Sequence, residues 1–139
     1  MEISHTIKRS GQAPYKFNGE LIVEKNNYSP AVSMWHEINV YKKEGNGYVL
    51  VIKALKKAEG DPDIISVHKP SNAQELIRKI IDHDCKNDVC SDIDLLDQNR
   101  PVVDLIMDAV NMRQRTDIAG KNWAAMVGDL LYDFYMMSK

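Results

Sequence analysis

Residues 33–56 decide the fold, and they read SMWHEINVYKKEGNGYVLVIKALK. Up to the glycine-rich turn the sequence alternates, so that His36, Ile38 and Val40 share one face of a strand. After the turn, residues 48–56 are apolar on both faces, which is typical of a central strand that is covered on each side. The stretch therefore predicts an antiparallel hairpin in the middle of a sheet.

The glycine-rich turn also predicts how the two strands of this hairpin pair. A three-residue loop over residues 45–47 pairs Val40 with Ile52, and it sorts apolar residues with apolar ones and polar residues with polar ones. The same loop puts Gly47 at the left-handed position that such loops need. We therefore predict this register.

The rest of the chain changes its pattern near Pro70, from alternation to helical spacing. Further strands are predicted over residues 3–8, 15–25 and 64–68. Helices are predicted from the N-cap Ser71 to about residue 84, from Pro101 through Val110, and from a cap at Thr116 or Asp117 to Met136. We predict one α+β domain over residues 1–139, mostly β in 1–69 and mostly α in 70–139. Its antiparallel sheet of four to five strands is followed by three main helices packed on it.

The last predicted helix carries an apolar band that is wider than one stripe. Such a helix is buried on more than one side, either inside the domain or between two subunits. The candidate interface residues are Trp123, Leu131, Phe134 and Tyr135. The second face of the sheet leaves a similar choice, because either helices or a partner copy can cover it.

Composition and charge limit the classes of protein. The chain has 139 residues, of which 44% are hydrophobic and 27% are charged, so collagen-like, disordered and disulfide-scaffold classes are excluded. A formal charge of -2 gives no strong field to attract nucleic acid or an anionic membrane. We expect no secretory signal and no membrane segment, because no stretch reaches about 18 apolar residues. With only two cysteines, Cys85 and Cys90, we expect reduced thiols and a cytoplasmic location.

Potential metal ligands cluster after the first predicted helix. They are Asp82, His83, Asp84, Cys85, Cys90, Asp92, Asp94 and Asp97. The cysteines are too far apart for a zinc knuckle, and a calcium loop read from Asp88 has Ile93 where glycine is needed. The spacing therefore favours a solvated loop, and we predict no metal and no cofactor.

Catalytic groups are equally poorly supported by the sequence. Cys85 falls on the apolar stripe of its predicted helix, which favours a core cysteine. His36 and Glu37 point to opposite faces of a strand, so His36 is predicted to be a hydrogen-bonded histidine at the core edge. We predict no catalytic residue. An enzyme or metal site instead requires that His36, His68, His83 or Cys85 converge with carboxylates in one cleft.

A few residues of the predicted sheet could bind nucleic acid. The candidate residues are Trp35, Tyr41, Lys42, Lys43 and Lys53, which combine aromatic rings for stacking with lysines for phosphate. Glutamates are interleaved with the lysines, and no recognition-module fingerprint is present.

The sequence thus favours a non-enzymatic cytoplasmic interaction or binding protein that associates with itself as a homodimer or with a protein partner. The alternatives are a nucleic-acid-binding protein that uses the lysine-rich sheet half, and a small enzyme or metal site that uses His, Cys and Asp around residues 82–97.

Overall fold

The computed structural model describes residues 3–30, 34–57, 63–86, 88, 99 and 101–137. These contain the strands β1 (Ile3–Arg9), β2 (Gln12–Asn26), β3 (Met34–Lys43), β4 (Tyr48–Lys56) and β5 (Ile64–His68), and the helices α1 (Ala73–Asp82) and α2 (Val102–Met137). The strands form one antiparallel sheet in chain order, so each strand pairs with its neighbours in sequence. The predicted α+β class with an antiparallel sheet is confirmed.

The register between β3 and β4 differs from the predicted one. Val40 lies opposite Leu50 rather than Ile52, which is a shift of two residues. A two-residue shift leaves every side chain on the same face, so the alternation of apolar and polar residues does not distinguish the two registers. The prediction was wrong because it used a criterion that both registers satisfy.

The turn contains a long-range contact that the sequence does not display. The backbone N–H of Lys43 donates to the carbonyl oxygen of Gly47 (3.1 Å), and that of Tyr48 donates to the carbonyl oxygen of Pro70 (2.9 Å). Gly47 has a φ of 93°, and a Cβ on it would lie 3.1 Å from that Pro70 oxygen. Both the left-handed backbone and this close approach therefore require glycine.

Two helices, not three, follow the sheet in the described residues. The second and third predicted helices are one continuous helix, α2. Thr116 was predicted to cap a new helix, but its hydroxyl donates to the carbonyl oxygen of Met112 (2.7 Å), one turn earlier. A threonine hydroxyl that is satisfied inside a helix does not interrupt it. Neither helix combines the length and apolar character needed to cross a membrane.

The start of α1 lies one residue later than predicted. Asn72 is the N-cap, and its Oδ1 accepts from the backbone N–H of Glu75 (2.9 Å). The Glu75 carboxylate accepts in turn from the backbone N–H and the hydroxyl of Ser71, both at 2.9 Å. The cap is therefore Asn72 rather than Ser71, and the Glu75 carboxylate reaches back to Ser71, the residue before the cap.

The helices cover one face of the sheet. On this face β3 and β4 present Ile38, Val40, Leu50 and Ile52, all at most 2% exposed. Leu76 and Ile80 of α1 pack against them, together with Trp123, Met126, Val127 and Leu130 of α2. Lys25 of β2 and Asp133 of α2 form an ion pair of 2.6 Å at the edge of this layer.

The sheet covers its own second face. Phe17, Tyr41, Val49 and Val51 form a buried cluster there. The turn after β1 reaches β5, because the backbone N–H of Ser10 donates to the carbonyl oxygen of Ile65 (3.0 Å) and the Ser10 hydroxyl oxygen accepts from the Ile65 N–H (2.8 Å). The sheet is therefore curled, and the apolar residues of this face pack against one another.

The first half of α2 does not pack on the sheet. Five large apolar residues, which we call the α2 stripe, are 49–70% exposed: Val102, Val103, Ile106, Met107 and Val110. The expectation that all helices pack on the sheet holds for α1 and for the second half of α2 only.

Candidate metal centre

Three side chains from separate parts of the fold converge on the helix-covered face. His36 lies on β3, His83 directly follows α1, and Asp88 lies in the turn beyond it. The Nε2 atoms of His36 and His83 lie 2.7 and 2.9 Å from the same carboxylate oxygen, Oδ2 of Asp88. All three donor atoms fall within 4.8 Å of one another. We call these residues the His–His–Asp trio.

Local structure fixes both histidines. His36 follows the alternation of β3, which turns it to the same face as Ile38, and its backbone N–H donates to Oδ1 of Asn27 (2.7 Å). His83 caps α1 with an extended backbone, and its N–H bonds the carbonyl oxygen of Ile80. The chain leaves the helix axis at this point and leads to Asp88 beside the sheet.

The trio sits against an apolar wall. The indole ring of Trp123 lies 4.9 Å from the imidazole of His36 and 5.0 Å from that of His83, measured between ring centroids. The side chains of His36 and Asp88 are 2% and 8% exposed, whereas that of His83 is 19% exposed. The solvent edge of the trio is therefore at His83.

Asp88 is ionised at neutral pH. Burial raises the pKa of its carboxyl group, but the hydrogen bonds from His36 and His83 and the charges of these residues outweigh burial and bring the pKa to about 2. An ionised carboxylate only accepts hydrogen bonds, so each imidazole directs a donor Nε2–H at it when no cation lies between them.

Two further candidates from the sequence lie near the trio but outside it. Cys85 is a buried free cysteine, and burial together with the charges of Asp88 and Asp84 raises the pKa of its thiol. His68 of β5 is on the helix-covered face, opposite Leu50, and its pKa is lowered by burial, by Lys79 and by His83. Asp82 and Asp84 are exposed. Cys90, Asp92, Asp94 and Asp97 lie outside the described residues.

The donor set suits a transition metal. Two imidazole nitrogens and one carboxylate oxygen bind Zn²⁺ at about 2.0–2.2 Å, and donors around a tetrahedral ion then lie roughly 3.3 Å apart. The two measured separations, 2.7 and 2.9 Å, are hydrogen-bond lengths. These two separations would each have to lengthen by about half an ångström for the donors to coordinate such an ion.

The residues predicted for nucleic-acid binding are not brought together as an exposed platform. Tyr41 is only 6% exposed, and its ring packs edge-on against Phe17 at 5.1 Å. Tyr41 therefore offers no exposed ring for base stacking, because the sheet curls over this face. Trp35 is half-buried beside Tyr28, and Lys53 pairs with Glu37 (3.3 Å). Lys42 is exposed and Lys43 half-buried.

The predicted interface residues divide between core and surface. Trp123 is 7% exposed and belongs to the core, where it contacts both histidines of the trio. Leu131 and Phe134 are partly buried against the same core. Tyr135 is 56% exposed and is the only one of the four that faces solvent.

Sequence reasoning named His36 and His83 among residues that could meet carboxylates, but it did not identify Asp88 as their common partner, because the three residues are separated along the chain. Asp88 is 52 residues from His36 and five from His83, and no local ligand spacing contains all three. The available signal was indirect: a histidine on the apolar face of a strand and a second one at the end of an amphipathic helix.

Comparison with protein-family models, with curated proteins and with solved structures finds no match to this chain. A function for this chain is therefore inferred from the geometry of the trio.

Proposed function

We propose that the protein binds a divalent transition-metal ion between His36, His83 and Asp88. The observation that supports this is the convergence of two imidazole nitrogens on one buried carboxylate oxygen. An ionised carboxylate loses hydration when it is buried, and hydrogen bonds from two imidazole groups replace that hydration only in part. A divalent cation at the common point would balance the charge directly.

The donor chemistry selects the class of ion. Calcium and magnesium prefer oxygen ligands, and copper(I) prefers thiolate or thioether sulfur. Imidazole with carboxylate suits Zn²⁺, and also Fe²⁺ and Co²⁺. We take Zn²⁺ as the expected ion and propose a cytoplasmic location, because the chain has only two cysteines and Cys85 is a free thiol.

Calorimetric titration of the metal-stripped protein with Zn²⁺ tests this proposal. We expect one ion per chain in the wild type and a loss of affinity of at least about 100-fold in Asp88→Asn, which keeps the size of the side chain but removes the charged ligand. Asp84→Asn is the matched control, because Asp84 is an exposed acid in the same turn. Absence of Zn²⁺ uptake, or equal affinity in Asp88→Asn, would overturn the proposal.

Self-association is a second candidate function, and the α2 stripe favours it. Its residues follow the i, i+3, i+4, i+7 spacing of a helix–helix contact, yet they face solvent. The occupant we propose is a second copy of the chain. Since the stripe is only about 14 Å long, it falls short of the roughly 800 Å² per partner of a stable interface, and we expect a weak dimer.

Sedimentation velocity over a range of protein concentrations tests the dimer. The average mass should rise with concentration in the wild type and stay at one chain in Ile106→Glu, which puts a charge in the centre of the stripe. Gln114→Glu, one turn beyond the stripe, is the control for added charge. A wild type that remains monomeric at the highest concentration would rule out self-association.

A further inference from the structure

The trio supplies only three ligands to a metal ion, and this number has a chemical consequence. The inference drawn from it rests on the proposed function. We propose that the metal ion held by His36, His83 and Asp88 keeps one coordination position for an external ligand, which is water at rest and a small oxygen- or nitrogen-donor anion when one is present. The protein would then be a metal-dependent anion-binding protein rather than one with a purely structural metal.

The ligand count is the first reason to expect an open position. Structural zinc sites use four protein ligands, whereas sites with three protein ligands complete the tetrahedron with water or substrate. In the described part of the chain, no fourth histidine, cysteine or acidic side chain joins the three donor atoms. Cys85 is nearby, but it is buried in the hydrophobic core cluster, and its sulfur is not among the donor atoms that converge.

The charge of the loaded site is the second reason. A divalent ion with one carboxylate and two neutral imidazoles carries a net charge of about +1. This charge would lie where His36 and Asp88 are almost fully buried and Trp123 supplies an apolar wall. Electrostatic attraction is stronger in such surroundings than in water, so an anion that reaches the ion is held.

Access from solvent is the third reason. His83 is the only member of the trio with an appreciable exposed fraction, 19% of its side chain. One side is closed by Trp123, which is 7% exposed and packs on both imidazoles. An external ligand therefore reaches the ion along the His83 edge, which also limits it to a small molecule or to the tip of a larger one.

The test uses the full chain loaded with Co²⁺, whose visible spectrum reports its coordination. We expect Co²⁺ uptake at one ion per chain and a saturable change in the visible bands when sodium azide is added. Acetate and inorganic phosphate, added separately, show which anion class the position prefers. Lys86→Gln removes an exposed positive charge two residues before Asp88, and it should keep the azide response if the metal itself binds the anion.

The outcomes separate the two proposals. If Co²⁺ binds but azide leaves the spectrum unchanged, the coordination position is filled and this inference is wrong, while metal binding stands. A thiolate-to-cobalt charge-transfer band that disappears in Cys85→Ser or Cys90→Ser would overturn it in the same way and would name the fourth ligand. If no Co²⁺ or Zn²⁺ is taken up, the proposed function itself fails.

Discussion

The two faces of β3 are both buried, but their polar groups differ in whether they have hydrogen-bond partners. On the helix-covered face, His36 is 1% exposed and bonds Asp88, which also accepts from His83. On the curled face, Asn39 is 6% exposed, and its Oδ1 has no hydrogen-bond partner among the described residues. A buried polar atom is therefore not by itself a sign of a site here. Convergence of several donor atoms from different elements distinguishes the first face from the second.

The largest effect is expected on the curled face. Phe17 is 7% exposed and packs against Tyr15, Tyr41 and His5. Phe17→Ala should lower the free energy of unfolding by about 3–5 kcal/mol, because it removes a buried aromatic ring. The affinity of the Phe17→Ala variant for Zn²⁺ should stay within about two-fold of the wild type, because the trio is on the other face. Chemical denaturation and calorimetry check the two values, and a large loss of Zn²⁺ affinity would show that the faces are coupled.

The next largest effect is expected on the helix-covered face, where Zn²⁺ should stabilise the fold by binding to the trio. Zn²⁺ at 100 times its dissociation constant should stabilise the wild type by about 2.7 kcal/mol, since the ion binds the folded state. His36→Gln should lose this stabilisation, whereas His5→Gln should keep it, because His5 lies on the curled face beside Phe17. Denaturation curves with and without Zn²⁺ measure this change in the free energy of unfolding. Equal stabilisation of both variants would mean that the ion binds elsewhere.

In the metal-free protein, protonation of Asp88 should make the free energy of unfolding depend on pH in the acid range. Its pKa of about 2 in the folded state lies below its ordinary value of 3.8, so the carboxylate stabilises the fold above pH 3.8 and this contribution is lost as the pH falls toward 2. The contribution at neutral pH is about 2 kcal/mol. The difference in unfolding free energy between the wild type and Asp88→Asn should therefore shrink by that amount between about pH 5 and pH 2. A difference that does not change with pH would contradict the assigned pKa.

The smallest effect is expected at Asn39. Replacing an amide that has an unsatisfied buried oxygen by an apolar side chain of similar size removes a desolvation cost. Asn39→Leu should therefore raise the free energy of unfolding by about 1 kcal/mol, as measured by chemical denaturation. Destabilisation by a similar amount would show that Asn39 has a partner or a role that its surroundings do not reveal.

Part of this comparison was predictable from the sequence. The alternation in residues 33–56 assigned His36 and Tyr41 to opposite faces of one strand and identified β4 as covered on both sides, because side-chain direction in a strand follows directly from sequence position. The curl of the sheet was not predictable, since it depends on hydrogen bonds between Ser10 and Ile65 that join distant parts of the chain. The sequence therefore left open what covers the face that carries Tyr41.

The remaining errors have similar causes. Thr116 is a good capping residue in isolation, but in α2 its hydroxyl bonds the preceding turn and the helix continues. Ligand spacing did not reveal that His36, His83 and Asp88 converge, because it considers neighbours in sequence, whereas one of the three side chains comes from β3. Local patterns identified elements and faces, whereas contacts between distant parts of the chain brought the trio together.

Heteronuclear NMR of the histidine side chains in the ¹⁵N-labelled protein, titrated with Zn²⁺, tests the central claim most directly. The chain has four histidines: His5, His36, His68 and His83. Binding at the trio predicts that the Nε2 resonances of His36 and His83 move to metal-bound positions at one equivalent, with the proton on Nδ1, while His5 and His68 keep their tautomers. Small shifts of all four histidines without saturation, or no shift of His36, would contradict a metal centre formed by the trio.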